Sequence, residues 1–149
     1  MKIGIVTIYN VPNYGAILQA YSLAEYLRRE GHEVVLFNVD SPKRHPYIYK
    51  LKRLFKLGFI DKFQQRNYPA ITSNLNEEVD IYMVGSDQVW NIEITQADYD
   101  KYFLAFALHN RKVSYAASFG NNEWDFPSKR NEIRGFLSAF KYITVREEM

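Results

Sequence analysis

Residues 1–40, MKIGIVTIYNVPNYGAILQAYSLAEYLRREGHEVVLFNVD, contain two apolar runs separated by a helix-forming segment. Runs 3–8 and 34–39 are almost continuously apolar, which is typical of strands buried on both faces of a parallel sheet. Segment 16–27 repeats apolar residues at helical spacing, and Gly31 supplies the left-handed residue that ends a helix. A right-handed strand–helix–strand crossover places the intervening turn at the edge where the parallel strands end, which we call the carboxyl edge.

The first turn, residues 9–15 (YNVPNYG), has the composition of an anion site. Asn13 can cap the following helix, Tyr14 opens it, and Gly15 lets a ligand approach its first N–H groups closely. A capped helix without any ligand fits the same residues. A dinucleotide site is disfavoured because the turn has one glycine instead of three, although Asp40 ends the second strand where a ribose-binding acid would lie.

Three further strands are predicted downstream, at residues 79–84, 113–120 and 142–145. Residues 97–108 are predicted to be an aromatic packing segment, and residues 69–78 a polar connection. Together with the opening unit, these elements predict a Rossmann-like, doubly wound α/β sheet. It would contain about five mainly parallel strands, with helices on both faces.

The second turn, residues 85–91 (GSDQVWN), follows the third predicted strand and should lie at the same edge as the first. Its polar side chains are candidate ligand contacts: Ser86, Asp87, Gln88 and Asn91. Trp90 would line the same wall. In the alternative interpretation, Asp87 makes a local turn contact and Trp90 belongs to the core.

Composition sets limits on the class of protein. The 149 residues suit one domain, and a net charge of +2 is too small to indicate a nucleic-acid partner. No cysteine is present, so the sequence predicts no disulfide and no thiolate metal site. The sequence opens directly into a strand and has no apolar run near 18 residues, from which we expect a cytoplasmic, soluble protein.

A basic segment, residues 43–68, carries eight basic residues and one acid, a formal charge of +7. Within it, Ile48, Leu51, Phe55 and Phe59 recur at helical spacing, which predicts an amphipathic helix. Two interpretations stay open. The helix could meet anionic lipid at the inner face of the membrane or an acidic lipid-linked substrate, or it could pack on the sheet with a solvated basic face.

Four blocks of this sequence resemble the polysaccharide pyruvyl transferase family. They are IGIVTIYNVPNYGAILQAYSLAEYLRREGHEV (3–34), DIYMVGSDQVWN (80–91), KVSYAASFG (112–120) and YITVREE (142–148). The resemblance implies transfer of the enolpyruvyl group of phosphoenolpyruvate to two hydroxyls of a sugar during surface-polysaccharide synthesis. The product would be a pyruvate ketal, with free phosphate released.

The resemblance also implies a two-lobed, glycosyltransferase-like enzyme of which residues 1–149 match the first lobe. Arg146 and the helix start at Asn13–Gly15 would bind the acidic donor, without a metal or further cofactor. Asp87 would be the base, with Gln88 and Asn91 binding hydroxyls. No convincing general acid occurs, so we expect it, as a histidine, in an absent second lobe, and residues 1–149 alone to be catalytically silent.

Other functions fit the same pattern of elements. A glycosyltransferase lobe would share the architecture but bind a sugar nucleotide. A non-catalytic ligand-binding or interaction module would keep the fold without the chemistry. A flavin binder is disfavoured, because the first turn lacks a phosphate loop rich in serine and threonine.

Overall fold

The described residues of the protein form a five-stranded sheet, and the four strand pairs among them are all parallel. The computed structural model describes residues 1–11, 13–40, 58–108, 111–120 and 127–146. The strands are β1 (Lys2–Val6), β2 (Glu33–Phe37), β3 (Ala70–Thr72), β4 (Ile81–Gly85) and β5 (Lys112–Tyr115). Their order across the sheet is β3-β2-β1-β4-β5. This order is that of a Rossmann-like fold, so the predicted fold class is confirmed.

Helices connect the strands. They are α1 (Tyr14–Arg29), α2 (residues 58–67), α3 (Ile92–Thr95), α4 (Tyr99–Tyr102) and α5 (Arg130–Ser138), with 3₁₀ turns at Gln96–Asp98 and Pro127–Lys129. The end of α1 forms as predicted. Gly31 has φ +84°, its N–H donates to the Arg28 carbonyl, and the next N–H, of His32, donates to the Leu27 carbonyl. These two bonds close the helix in a Schellman motif.

Alternate residues of the strands supply two apolar layers, one on each face of the sheet. Layer one joins the strands to α1 through Ile3, Ile5, Val34, Leu36, Ala20, Leu23, Ala24 and Leu27. Layer two joins them to the later helices through Val6, Val35, Phe37, Tyr82, Val84, Trp90, Ile92, Tyr102, Phe103 and Ile133. The sheet is therefore covered on both sides, as a doubly wound fold requires.

Strand β3 lies in the segment that the sequence predicted as a polar connection, so that prediction was wrong. Among the strands that the structure describes, the three residues of β3 pair with β2 alone, and Ala70 and Ile71 are exposed. A short strand at the edge of a sheet needs no apolar run, which is why the apolar pattern of the sequence did not reveal β3.

At the opposite edge of the sheet, residues 142–145 run parallel to β5 through the Val113–Tyr142 and Ala117–Val145 bridges.

The described part of the basic segment is α2. Its apolar side differs from the predicted one, because Phe59 is 75% exposed whereas Ile60 is 4% exposed. Phe63, one turn further, packs edge-on against Tyr21 of α1. Ile48, Leu51 and Phe55, the other members of the predicted apolar side, lie outside the described residues. Of the helices that the structure describes, none combines the length and apolarity needed to cross a membrane.

Gly85 marks a close approach between the ends of β4 and β5. Its φ is +127°, and a Cβ atom placed there would overlap with the carbonyl oxygen of Tyr115. Only glycine combines that backbone conformation with that lack of space. The second turn therefore begins at a point where the backbone path is tightly determined.

Candidate active site at the carboxyl edge

The first turn caps α1. Oδ1 of Asn13 accepts hydrogen bonds from the N–H groups of Gly15 (2.8 Å) and Ala16 (3.3 Å), so the predicted cap is confirmed. These two N–H groups are therefore engaged by the protein. An anion at this turn would instead be favoured by the positive end of the helix dipole and by the absence of a side chain at Gly15. Asn13, Tyr14 and Gly15 are all exposed.

Tyr9 stands at the start of the same turn and is 7% exposed. Its ring meets that of Tyr68 edge-on, and its carbonyl accepts a hydrogen bond from Nε2 of Gln64 (3.0 Å). Burial, and to a lesser degree the nearby charge of Asp40, raises the pKa of the Tyr9 hydroxyl. Oδ1 of Asp40 in turn accepts a hydrogen bond from the Tyr102 hydroxyl (2.8 Å), which gives this carboxylate a structural role.

The raised pKa of Tyr9 predicts a loss of stability at alkaline pH. Below the ordinary tyrosine pKa of about 10, both the folded and the unfolded chain keep the proton, and Tyr9 adds no pH dependence. Above it, only the unfolded chain ionises, so the free energy of unfolding falls by up to about 1.4 kcal/mol per pH unit. Urea unfolding at about pH 9 and about pH 11 should show a smaller fall for Tyr9→Phe than for the control Tyr26→Phe. Equal falls in the free energy of unfolding of the two variants would show that Tyr9 is not the source of the alkaline loss of stability.

The first and second turns lie side by side. Gln19 of α1 donates from Nε2 to Oγ1 of Thr7 (3.0 Å), just before the first turn, and accepts from the Ser86 hydroxyl of the second turn at Oε1 (3.2 Å). Gln19 was not among the site residues predicted from the sequence. A signal was present, because a glutamine stands between Ala16 and Leu23 on the buried, sheet-facing side of α1.

The second turn holds Asp87 by local contacts. Oδ1 of Asp87 accepts a hydrogen bond from the N–H of Gln88 (2.8 Å). Among the described residues, no donor reaches the other carboxylate oxygen of Asp87. Asp87 and Gln88 are both half-buried. The turn thus presents a fixed carboxylate with one oxygen in position to take up a proton.

Asn91 and Trp90 complete the second turn with different roles. Oδ1 of Asn91 caps α3 by accepting from the N–H of Glu93 (3.0 Å), while its Nδ2 faces Gly120. Trp90 is 1% exposed and stacks on Phe103. The prediction that Trp90 lines the site wall was therefore wrong, and the alternative prediction that it belongs to the core is confirmed. Among the described residues, the Trp90 Nε1–H has no hydrogen-bond acceptor.

A third turn, residues 116–120, joins Asp87 to Arg146. The Ser118 N–H donates to the carbonyl of Asp87 (3.1 Å), and its buried hydroxyl oxygen accepts from Nη2 of Arg146 (3.1 Å). A Cβ atom at Gly120, whose φ is +79°, would stand 2.8 Å from Asn91 Nδ2 and 2.9 Å from Gln88 Oε1. The residue Ser118, which the sequence analysis missed, therefore connects the second turn to the arginine.

The structure brings most of the predicted site residues to one edge of the sheet. One group lies at the second and third turns and comprises Ser86, Asp87, Gln88, Asn91 and Arg146. A second group lies at the first turn and comprises Asn13, Tyr14 and Gly15. The Gln19–Ser86 hydrogen bond connects the first turn to the second. The strand order reverses between β1 and β4, where the first and second turns arise. In the described ranges, no three acidic or histidine side chains cluster as metal ligands would.

A parallel sheet whose strand order reverses between β1 and β4, with polar turns at its carboxyl edge, defines a class: Rossmann-like, doubly wound α/β proteins. Within that class, a family model for polysaccharide pyruvyl transferases matches residues 13–149. The chain therefore belongs to the polysaccharide pyruvyl transferase family, a family of transferases. Comparison with curated proteins and with solved structures gave no significant match.

Proposed function

We propose that this chain contributes to the transfer of the enolpyruvyl group of phosphoenolpyruvate to two hydroxyls of a sugar, forming a pyruvate ketal. One observation carries the proposal. Ser118 bonds to the backbone carbonyl of Asp87 and, through its hydroxyl, to the guanidinium of Arg146, so the residue that bears the carboxylate and the cation meet at one turn beside the switch point. A reaction between an acidic donor and a neutral hydroxyl needs both groups close together.

The donor would bind at Arg146. Phosphoenolpyruvate carries a carboxylate and a phosphate, and a planar guanidinium pairs with either through two parallel hydrogen bonds. Arg146 is exposed, and Ser118 fixes one of its nitrogens, which limits the orientations of the plane. The positive end of α1 at Asn13–Gly15 would contribute at the far side of the crevice.

The acceptor would bind at the second turn. Asp87 takes the proton of one sugar hydroxyl while that oxygen bonds to C2 of the donor and a proton is added to the donor's methylene carbon. The second hydroxyl then bonds to the same carbon as the bond from that carbon to the phosphate oxygen breaks, and the proton of this hydroxyl leaves with the departing phosphate. Gln88 and Nδ2 of Asn91, which both lie against Gly120, would orient the hydroxyls. The proton for the methylene carbon would come from outside the described residues.

The acceptor in this proposal is a sugar or a lipid-linked oligosaccharide at the inner face of the cytoplasmic membrane. The basic segment 43–68, with its formal charge of +7, would meet the anionic surface or the acidic acceptor there. Family membership supports a polysaccharide acceptor, and the choice of sugar is left to experiment.

Ligand titrations test the donor. Calorimetry on the full-length gene product should show binding of phosphoenolpyruvate in preference to uridine or guanosine diphosphate sugars. Arg146→Ala should weaken phosphoenolpyruvate about tenfold to a hundredfold, the usual value of a charged hydrogen-bond pair. Arg134→Ala, on the exposed side of α5, is the matched control and should leave the affinity unchanged.

Two results would redirect the proposal. Tighter binding of a sugar nucleotide than of phosphoenolpyruvate would favour a glycosyltransferase lobe. Binding of neither ligand would favour a non-catalytic interaction module that keeps the fold.

A further inference from the structure

Gln19 has four hydrogen-bond partners, and they lie on both sides of the switch point. Its Nε2 group carries two hydrogens and lies within hydrogen-bond distance of three acceptors, two of which share one hydrogen: Oγ1 of Thr7 (3.0 Å), the carbonyl of Ile8 (3.0 Å) and the carbonyl of Ala16 (2.9 Å). Its Oε1 accepts from the hydroxyl of Ser86 (3.2 Å). One side chain thus connects the end of β1, the first turn of α1 and the residue that follows β4.

Only an amide of this length suits the position. The three acceptors surround the nitrogen and the one donor faces the oxygen, so the group must donate at one end and accept at the other. Thr7 is 1% exposed, and the hydroxyl of a buried threonine needs a partner. A carboxylate at this position would be repelled by the carbonyl oxygens of Ile8 and Ala16, because all of these oxygens are hydrogen-bond acceptors. An apolar side chain would remove the hydrogen bonds to the hydroxyls of Thr7 and Ser86.

We propose that Gln19 is a positioning residue that sets the spacing between the first and second turns. By holding Ser86 to the start of α1, it fixes the distance between the positive end of α1 at Asn13–Gly15, which would contribute to donor binding, and the second turn, which carries Asp87. This inference rests on the proposed function for its catalytic meaning, while the mechanical link between the turns stands on the hydrogen bonds alone.

Amide hydrogen exchange tests the link directly. In Gln19→Met, exchange in residues 86–91 should accelerate about tenfold, the effect of losing one part-buried hydrogen bond, while exchange in β1 and β2 stays unchanged. Ser86→Ala breaks the same link from the other side and should give the same pattern. This second variant keeps the test open if Gln19→Met folds poorly.

Gln64→Met is the matched control. Gln64 also donates its side-chain amide to the first turn, at the Tyr9 carbonyl (3.0 Å), but lies on α2 and makes no bond to the second turn. Its substitution should leave exchange in residues 86–91 at the wild-type rate. Unchanged exchange there in Gln19→Met and Ser86→Ala would overturn the inference, as would acceleration spread equally over the core strands.

A phosphoenolpyruvate titration separates this inference from the proposed function. If the wild-type protein binds phosphoenolpyruvate, Gln19→Met should weaken the affinity about tenfold and Gln64→Met should not. Faster amide exchange in residues 86–91 of Gln19→Met, together with an unchanged affinity for phosphoenolpyruvate, would overturn the positioning role. If the wild type does not bind phosphoenolpyruvate, the proposed function fails, and the exchange pattern alone decides whether Gln19 joins the two turns.

Discussion

Replacing Asp87 with asparagine is expected to lower kcat about 10²–10⁴-fold, the usual contribution of a general base. Asparagine has the same shape, and its Oδ1 can still accept the hydrogen bond from the Gln88 N–H, so the second turn should keep its conformation. The substitution removes only the group that would take the sugar's proton. The measurement is phosphate release by the full-length gene product from phosphoenolpyruvate and a polysaccharide acceptor.

Asp80→Asn is the matched control for this experiment. Asp80 precedes β4, whereas Asp87 follows it, and the Asp80 carboxylate accepts from the N–H of Lys2 (2.7 Å) at the opposite edge of the sheet. Its substitution should leave kcat within about twofold, as expected away from the reacting groups. Retention of most activity by Asp87→Asn, or an equal loss in both variants, would remove Asp87 from the mechanism.

Gly85→Ala is expected to lower the free energy of unfolding by about 3 kcal/mol. Part of the loss is backbone strain at φ +127°, and part is the overlap of the new methyl group with the Tyr115 carbonyl. Because Tyr115 belongs to β5, relief would require the ends of β4 and β5 to separate. Urea denaturation monitored by circular dichroism gives the change in free energy.

Gly135→Ala provides the control with the opposite sign. Gly135 lies inside α5, and a Cβ atom there would meet no atom within 4 Å. Alanine should stabilise the helix by about 0.5–1 kcal/mol. If both variants changed stability in the same direction and by similar amounts, the close approach of β4 and β5 at Gly85 would not be the reason for the loss.

The sequence was sufficient to predict the strands and helices that bury apolar residues. β1, α1, β2 and β4 each follow from an apolar run or a helical repeat, because burial on both faces of a parallel sheet leaves little room for polar residues. β3, which pairs on one side among the described strands, left no such pattern. In α2, Phe59 matched the helical repeat but is exposed, since the spacing does not determine which side of a helix meets the protein.

The site followed from topology more than from residue types. The crossover rule alone placed the turns after β1 and β4 at one edge, and the Gln19–Ser86 bond confirms that they are neighbours. The contacts of Ser118 with Asp87 and Arg146 join residues about thirty positions apart, which no local pattern can show. Trp90 looked like a ligand contact because it stands among polar residues, whereas its ring completes the aromatic core.

The most direct test of a shared donor crevice is a map of amide chemical-shift changes as phosphoenolpyruvate is titrated into the isotopically labelled full-length protein. The account predicts that the largest changes cluster at residues 13–15, 86–91 and 118–120 and at Arg146. Changes confined to the opposite edge of the sheet, around His32 and Asp80, or changes at only one of the turns, would contradict it.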